Sequence, residues 1–412
     1  MSDDLGIFEG GTEDRVQPTG GRGEQRRARE HDRLLQRRRR RRGRMVLAGA
    51  LTVLVLTVGA VLYGVRELMA LRQVPDYSGS GGAGLVVQIE AGESLSAIGD
   101  TLFDRGVVAS VGAFTAAAEE DPRTRAVQPG YYQVREQMSG SAAVSALLAP
   151  ASKVGRLEIR GGEQLDDVRL PNGHTVPGLL TELSRASCAT IGEVRTCVSP
   201  EQLRRAMGET DPAKLGAPNW VADPMSRVDA SRGLEGLLVP GTYDVRPGSS
   251  AAELLGQVTE ISVNRLLANG LPDSAADTGY SPYEVLVIAS IIEREAVTPD
   301  FGKVSRVIYN RLAEGMPLQM DSTINYPLYL QQVRTSAEDR ARPGPYNTYL
   351  NKGLPASPIG APSEAAVTAA ADPDPGPWRY FVKCQQDGTS CFSVTIEEHQ
   401  AAVRDAVARD VF

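Results

Sequence analysis

The stretch Ala289-Ser-Ile-Ile-Glu-Arg-Glu-Ala296 ends an apolar run that begins at Val285. Ser281-Pro282 just before this run is a helix-start signal, so we predict a buried helix. Glu293 lies near the C-terminal end of that helix. Burial and the negative helix end both favour a protonated carboxyl group, the form that a general acid needs. Alternatively, Glu293 only marks where the helix reaches the surface.

Charge is distributed unevenly along the 412 residues, which are enough for two to three domains. Residues 1–44 have 13 Arg against 8 Asp and Glu, whereas the whole chain has a net charge of −7. We predict a disordered Arg-rich tail over residues 1–44. Topology and contact with anionic lipid explain its Arg run better than nucleic-acid binding does.

Met45–Val65 is an uncharged stretch of 21 residues that follows the six-Arg run Arg37–Arg42. This length predicts a single transmembrane helix, and the Arg run predicts a cytoplasmic N-terminus. The predicted location is therefore the inner (cytoplasmic) membrane, with the rest of the chain extracytoplasmic. A cleaved secretory signal is the alternative, but its charged region would be shorter. Residues 66–84 are predicted to be a linker.

Four cysteines follow the predicted span, in two pairs that are each close in sequence. In an oxidising compartment, Cys188–Cys197 and Cys384–Cys391 are the favoured disulfides among three connectivities, with four reduced thiols as the alternative. Zinc is disfavoured by the spacing. Because the chain has only three His, we predict no metal site and no cofactor.

Residues 85–149 show a strand–helix–helix–strand–helix pattern. Val86–Ile89 and Gly130–Val134 are predicted strands, while helices are predicted from Leu95, around Val111–Ala118 and over Ser141–Leu148. Through Glu90-Ala-Gly-Glu-Ser-Leu-Ser-Ala-Ile98 this unit resembles a LysM-like module, which implies contact with N-acetylglucosamine-containing glycans. A small spacer without a ligand site would have the same periodicity.

Residues 150–412 are predicted to form a larger α+β domain, which gives the whole chain an α+β class. Leu157–Leu165 is similar to the opening of the first unit and is interpreted as an internal echo of it. Residues 171–232, rich in Pro and Gly, are predicted to be a helical insert with loops.

Four segments of this domain contain chemically useful side chains: Leu234–Tyr243, the Glu293 helix, Val307–Thr323 and Tyr346–Ile359. Gln319 and Asp321 alternate with apolar residues, which predicts a strand with one polar face. Tyr346–Tyr349 combines two phenols, an amide and a hydroxyl. That set suits a sugar, but it equally suits a turn whose polar groups cap each other.

In this order and spacing, the segments resemble the YceG-like family. The resemblance covers roughly Leu234–Val403 and, with the anchor and the LysM-like module, most of residues 45–412. It implies cleavage of the β-1,4 bond between N-acetylmuramic acid and N-acetylglucosamine in peptidoglycan, leaving a 1,6-anhydro end. It also implies that the enzyme terminates nascent strands beside peptidoglycan synthases.

The family's catalytic acid and base falls on Glu293. The residues expected to hold the sugars are Gln319, Asp321, Ser322, Thr323, Tyr346, Asn347, Thr348 and Tyr349. Glu295, a possible secondary acid, is two residues further along the helix, about 200° around it. We therefore predict that Glu295 faces away from Glu293 and either orients it or faces solvent.

The chain departs from the family pattern at two places: Gly241 stands where an Asp is usual, and Ser390 where a His is common. Two other functions remain open. One is a catalytically silent peptidoglycan-binding scaffold. The other is a water-using muramidase, which requires a second carboxylate facing Glu293, with Asp321 as the candidate.

Overall fold

The computed structural model of the protein describes residues 49–65, 74–225, 228–329 and 335–411. The chain divides into two compact units at Val74. In the first, residues 49–65 form helix α1, and its apolar side chains are exposed. Within the described ranges, no helix is both long and apolar enough to cross a membrane. The predicted tail, residues 45–48 of the predicted span and residues 66–73 of the predicted linker lie outside the described residues.

The second unit begins with a small α+β layer in the predicted order of elements. Its strands β1 (Gly84–Ile89) and β2 (Gly130–Arg135) pair antiparallel, and β3 (Lys153–Val154) pairs with β2. Its helices are α2 (Leu95–Asp104), α3 (Val111–Glu120) and α4 (Gly140–Leu148). Each helix begins at a Ser whose side chain accepts a backbone hydrogen bond. The sheet extends past the predicted boundary at residue 149 because β3 completes it.

The rest of the unit has eight short strands in antiparallel pairs. They are β4 (Arg156–Ile159), β5 (Val168–Arg169), β6 (Thr175–Val176), β7 (Ala189–Ile191), β8 (Val194–Thr196), β9 (Gly241–Asp244), β10 (Tyr380–Lys383) and β11 (Ser390–Ser393). Strand β4 pairs with the distant β9, whereas the other pairs are hairpins of consecutive strands. The predicted echo at Leu157–Leu165 is therefore wrong, because β4 leads into a loop and pairs outside the small layer.

Ten helices surround these strands in the described part of this region. They are α5 (Leu179–Ala186), α6 (Pro200–Glu209), α7 (Asn219–Met225), α8 (Ala251–Ala268), α9 (Pro282–Glu295), α10 (Phe301–Ala313), α11 (Asp321–Asn325), α12 (Ala337–Ala341), α13 (Glu364–Ala371) and α14 (Ile396–Ala408). The predicted insert contains helices, as expected, but also the β7–β8 hairpin.

Helix α9 is the centre of the larger core. Ser281 and Glu284 form a capping box at its start, with Pro282 at the first helical position. Every residue from Val285 to Ile292 is buried, since α13, α10, α11 and α7 pack around the helix. The helix therefore delivers its last turn, with Glu293 and Glu295, to the edge of the core.

The predicted strand at Gln319–Asp321 is wrong. Gln319 adopts a left-handed conformation with φ 52°, and Asp321 begins helix α11. The alternation of polar and apolar residues there arises because only one side of this turn faces the core, and it does not reflect a pleated strand.

Candidate active site

A cleft of about 1030 Å³ lies at the C-terminal end of α9. The loop after β4 forms one wall, and the turn at Gln319 with helix α11 forms another. Strand β10 and helix α14 complete the lining. Glu293, Arg294 and Glu295 all reach this cleft. Its lining combines carboxyl groups, basic groups and the aromatic rings of Tyr349, Tyr380 and Phe381.

The half-buried carboxyl group of Glu293 is held through one of its two oxygens. Oε2 accepts hydrogen bonds from the Ser363 backbone N–H, at 3.0 Å, and from the Ser363 hydroxyl. Ser363 is also the N-cap of α13, so its backbone is fixed by the helix that it starts. The other oxygen, Oε1, lies on the side of the cleft that Gly161 lines.

Gly161 packs directly against the Glu293 carboxyl group. A Cβ atom at this position would lie 2.1 Å from Oε1 of Glu293 and 2.9 Å from its Cδ. The next residue, Gly162, has φ +74°, and its carbonyl accepts a hydrogen bond of 2.9 Å from Nη1 of Arg294. Two glycines thus let the β4 loop approach the carboxyl group more closely than any side chain would allow.

Glu295 lines the same cleft as Glu293, so the prediction that it faces away or faces solvent is wrong. It is the last residue of α9, where its long side chain turns towards α11 and accepts a hydrogen bond of 3.1 Å from the Ser322 backbone N–H. Burial is the main cause that raises the pKa of Glu295, and the charge of Asp321 adds to it. Both carboxyl groups of the last turn of α9 therefore line the cleft, each held by a donor from a different segment.

Asp321 also lines the cleft, but its carboxylate is surrounded by donors. Oδ1 accepts from the hydroxyls of Thr335 and Tyr349, both at 2.6 Å. The Arg340 guanidinium lies 3.3 Å from both carboxylate oxygens and 4.9 Å from the Tyr349 ring centroid. Burial and this carboxylate raise the pKa of Tyr349, so the phenol stays protonated. Asp321 is thereby an acceptor at the centre of a closed network.

The eight predicted sugar-binding residues divide into two groups. Gln319, Asp321, Ser322 and Tyr349 line the cleft. The other four, Thr323, Tyr346, Asn347 and Thr348, are not among its lining residues. Three of those four are buried and hydrogen-bonded within the fold, since Thr323 and Thr348 pair their hydroxyls at 2.8 Å and Asn347 binds four backbone groups. For Tyr346, Asn347 and Thr348 the capped-turn alternative describes the structure better than sugar contact does.

Both cysteine pairs are joined as disulfides, in the pairing favoured from sequence. Cys384–Cys391 closes the β10–β11 hairpin, and β10 presents Tyr380, Phe381, Val382 and Lys383 to the cleft. Neither Cys188 nor Cys197 lines the cleft. In the part of the chain that the structure describes, no group of three His, Cys, Asp or Glu could hold a metal ion.

Sequence reasoning missed Gly161, Ser363, Arg294 and Arg340. The first two had local signals: a Gly-Gly pair directly after a strand, and a Ser-Glu start before a helix. Nothing local connects them to Glu293, because Ser363 is 70 residues away from it along the chain.

Comparison with known proteins agrees with this architecture. Residues 87–405 match the YceG-like family. The chain is 26% identical to the endolytic murein transglycosylase of Bacillus subtilis (strain 168) over 319 residues, which are 77% of this chain and 83% of that protein. It is 28% identical over 345 residues to the protein of the same name from Streptococcus pneumoniae serotype 2, covering 78% of this chain and 58% of that protein.

A solved structure is also similar. The crystal structure of a yceG-like protein from Listeria monocytogenes aligns with a TM-score of 0.51 and 25% sequence identity, over 78% of this chain and 99% of that one. Fold and cleft together define an α+β protein whose buried central helix delivers two carboxyl groups to an open cleft. The chain belongs to the YceG-like family.

Proposed function

We propose that this protein is a peptidoglycan lytic transglycosylase that cuts within glycan strands. The names of its curated relatives support this function. The site is compatible with it, because an open cleft with aromatic rings and many polar groups suits a chain of sugars. The bond cut is the β-1,4 bond between N-acetylmuramic acid and N-acetylglucosamine, as the family resemblance implies.

The observation that carries the proposal is the fixation of Glu293 through Oε2. Ser363 occupies that oxygen with two donors, so the proton needed for acid catalysis resides on Oε1. Oε1 lies beside Gly161, and both residues line the cleft. A glycosidic oxygen that binds in this part of the cleft therefore receives the proton.

The reaction then needs no water. Glu293 donates its proton to the glycosidic oxygen, the bond from that oxygen to C1 of the muramoyl residue breaks, and C1 becomes oxocarbenium-like. The muramoyl C6 hydroxyl attacks C1 and closes the 1,6-anhydro ring. Its proton goes to the Glu293 carboxylate, which restores the acid. The positive charge that develops at C1 is stabilised by the substrate's own N-acetyl group.

A muramidase reaction would instead require a second carboxylate that activates water. Asp321 is the candidate, yet Thr335, Tyr349 and Arg340 already donate to both of its oxygens. Its oxygens are therefore occupied by donors of the protein and are not free to bind and activate a water molecule. This favours the transglycosylase over the muramidase.

The proposed place of action is the outer side of the cytoplasmic membrane. Met45–Val65 anchors the protein in the cytoplasmic membrane, with the Arg run on the cytoplasmic side and the cleft outside. Its LysM-like layer contacts glycan, and the enzyme terminates nascent strands beside peptidoglycan synthases. These parts rest on the charge pattern of the sequence and on the family resemblance.

Mass spectrometry of glycan fragments tests the reaction. The full-length protein is expected to release fragments with 1,6-anhydro ends, whereas reducing ends would identify a muramidase. No fragments from a folded preparation that binds glycan would identify a scaffold.

Glu293→Gln tests the catalytic residue. It should lower the cleavage rate by about 10²- to 10⁴-fold, the usual contribution of an acid–base group, with glycan binding retained. Glu295→Gln is the matched control, since it changes the neighbouring carboxyl group of the same cleft. Wild-type cleavage by Glu293→Gln together with loss in Glu295→Gln would transfer the role to Glu295.

A further inference from the structure

Behind the cleft lies a buried carboxyl group that the proposed reaction does not use. Glu235, in the segment before β9, has only 2% of its surface exposed. Its Oε2 accepts hydrogen bonds from the Leu165 backbone N–H at 3.3 Å and from the Tyr326 hydroxyl at 3.0 Å. Its Oε1 is buried and has no hydrogen-bond partner in the described residues.

The two donors to Glu235 belong to segments that continue from two different walls of the cleft. Leu165 ends the loop in which Gly161 packs against Glu293. Tyr326 directly follows helix α11, whose Ser322 N–H donates to Glu295. The buried Glu235 carboxyl group therefore connects the two segments that contact Glu293 and Glu295. Glu235 itself does not line the cleft.

The surroundings of Glu235 disfavour its charge. The charged and titratable groups that face it are Tyr326, Tyr346, Tyr283, Arg232, Asp166 and Arg294. No ion pair within 4.0 Å joins Glu235 to a base among the residues that the structure covers. Arg232, whose charge favours the ionised form of Glu235, is engaged with Tyr329 and Asp166.

Burial is the main cause that raises the pKa of Glu235 to about 7, and its two hydrogen bonds oppose the rise. An ionised carboxylate here would have one buried oxygen without a donor, which is costly. The neutral acid places no charge in this buried position, and its Oε2 still accepts both hydrogen bonds.

We propose that Glu235 is a positioning residue that acts as a neutral carboxylic acid, and that its ionisation loosens the two cleft walls and lowers cleavage. This inference rests on the proposed function. The expected consequence is that activity declines at alkaline pH because Glu235 ionises, and not because a carboxyl group in the cleft does.

Glu235→Gln separates these origins, because the amide oxygen accepts the same two hydrogen bonds and cannot ionise. We expect the full-length variant to match wild-type kcat/KM at about pH 6 and to lack the decline that the wild type shows above about pH 7. An unchanged alkaline decline in Glu235→Gln overturns the proposal, as does loss of activity at about pH 6 in a folded variant.

Tyr326→Phe gives an independent test. Its hydroxyl favours the ionised form of Glu235, so removing it should move the alkaline decline of the wild type to higher pH. A decline that stays in place or moves to lower pH contradicts the role of Glu235.

Thermal unfolding gives a readout without substrate. The pKa of Glu235 lies above its ordinary value of 4.5 in the folded chain, so the folded state holds the proton more tightly. The stability that Glu235 contributes is thus present below about pH 4.5 and is lost as pH rises to about 7. Relative to wild type, the Tm of Glu235→Gln should therefore be higher at about pH 8 than at about pH 5. No such difference overturns the neutral-acid role.

Cleavage assays distinguish a failure of the proposed function from a failure of the role assigned to Glu235. A folded protein that releases no glycan fragments at any pH contradicts the proposed function. A protein that cleaves, with the same alkaline decline in Glu235→Gln, contradicts the role of Glu235 alone.

Discussion

At the scale of single residues, the Glu293 carboxyl group is held by parts of the chain that are far apart in sequence. Ser363 fixes one oxygen with two hydrogen bonds, and Gly161 lies beside the other. Arg294, next along α9, bonds the carbonyl of Gly162 and so fastens that loop to the helix. The proton donor is therefore confined by contacts and not by its helix alone.

Gly161→Ala should strongly lower the kcat of the enzyme, with little loss of stability. The new Cβ would lie 2.1 Å from Oε1 of Glu293, so the carboxyl group must move. Such a displacement of a reacting group lowers kcat by about 10²-fold. Gly82→Ala is the control, since nothing lies within 4 Å of its added Cβ. Activity of Gly161→Ala within about threefold of the control would contradict this packing.

Ser363→Ala should lower kcat by about tenfold, because without the hydroxyl donor the reacting carboxyl group is held less well in its position. The backbone N–H of residue 363 still donates to Glu293, so activity is reduced and not abolished. Steady-state kinetics check this, with KM expected to change little.

The control is Ser250→Ala, which removes the N-cap of α8 away from the cleft. Both variants lose about 1 kcal/mol of stability through the cap, but only Ser363→Ala should lose activity. Equal activities of the two variants would show that Ser363 serves α13 alone.

At the scale of secondary-structure elements, the cleft walls are short pieces with little stability of their own. Helix α11 has five residues, and the β10–β11 hairpin pairs four residues on each strand. Isolated two-stranded hairpins are marginal in water. The hairpin depends on Cys384–Cys391 and on the bond of 2.6 Å from the Ser390 N–H to the buried Asp300 carboxylate.

Replacing both Cys384 and Cys391 by Ser should loosen this wall. The chain-entropy model gives a cost of about 2 to 3 kcal/mol for so short a loop. We expect a lower Tm and a raised KM for glycan, since β10 lines the cleft. The control replaces Cys188 and Cys197, which should lower Tm comparably and leave KM unchanged at temperatures where the protein is folded. A raised KM in both variants would contradict a local effect.

At the scale of the whole molecule, the described residues from Pro75 onward contain two separate hydrophobic clusters. One fills the small layer around Val87, Leu102 and Phe114, and the other surrounds α9. Polar contacts join the two parts. The Gln133 amide exchanges hydrogen bonds of 2.8 and 2.7 Å with the Thr190 backbone, and Gly84 and Gly192 exchange two backbone bonds of 2.8 Å.

Gln133→Ala should therefore reduce the cooperativity of unfolding between the two clusters. Two hydrogen bonds contribute about 1 to 3 kcal/mol, which is enough to separate transitions that are otherwise merged. Calorimetry should show a van't Hoff enthalpy below the calorimetric one. Gln88→Ala on the neighbouring strand is the control and should keep a single transition. A single transition in both variants would contradict the coupling.

Local sequence was sufficient for features that depend on neighbours along the chain. The capped start of α9 at Ser281-Pro282, its uninterrupted apolar run and the position of Glu293 follow from helix periodicity and capping. The order of strands and helices in residues 84–148 follows for the same reason, because alternation and capping act over a few residues.

Tertiary structure alone decided which polar groups meet in the cleft. Gly161 and Ser363 reach Glu293 because β4 pairs with β9 and α13 packs on α9, and neither contact has a local signature. Helix geometry separates Glu293 from Glu295 by angle, but long side chains at a helix end are steered by their partners, here Ser363 and Ser322. Helix periodicity and capping place the two carboxyl groups on α9, whereas packing between distant segments sets which groups hold them and what they face.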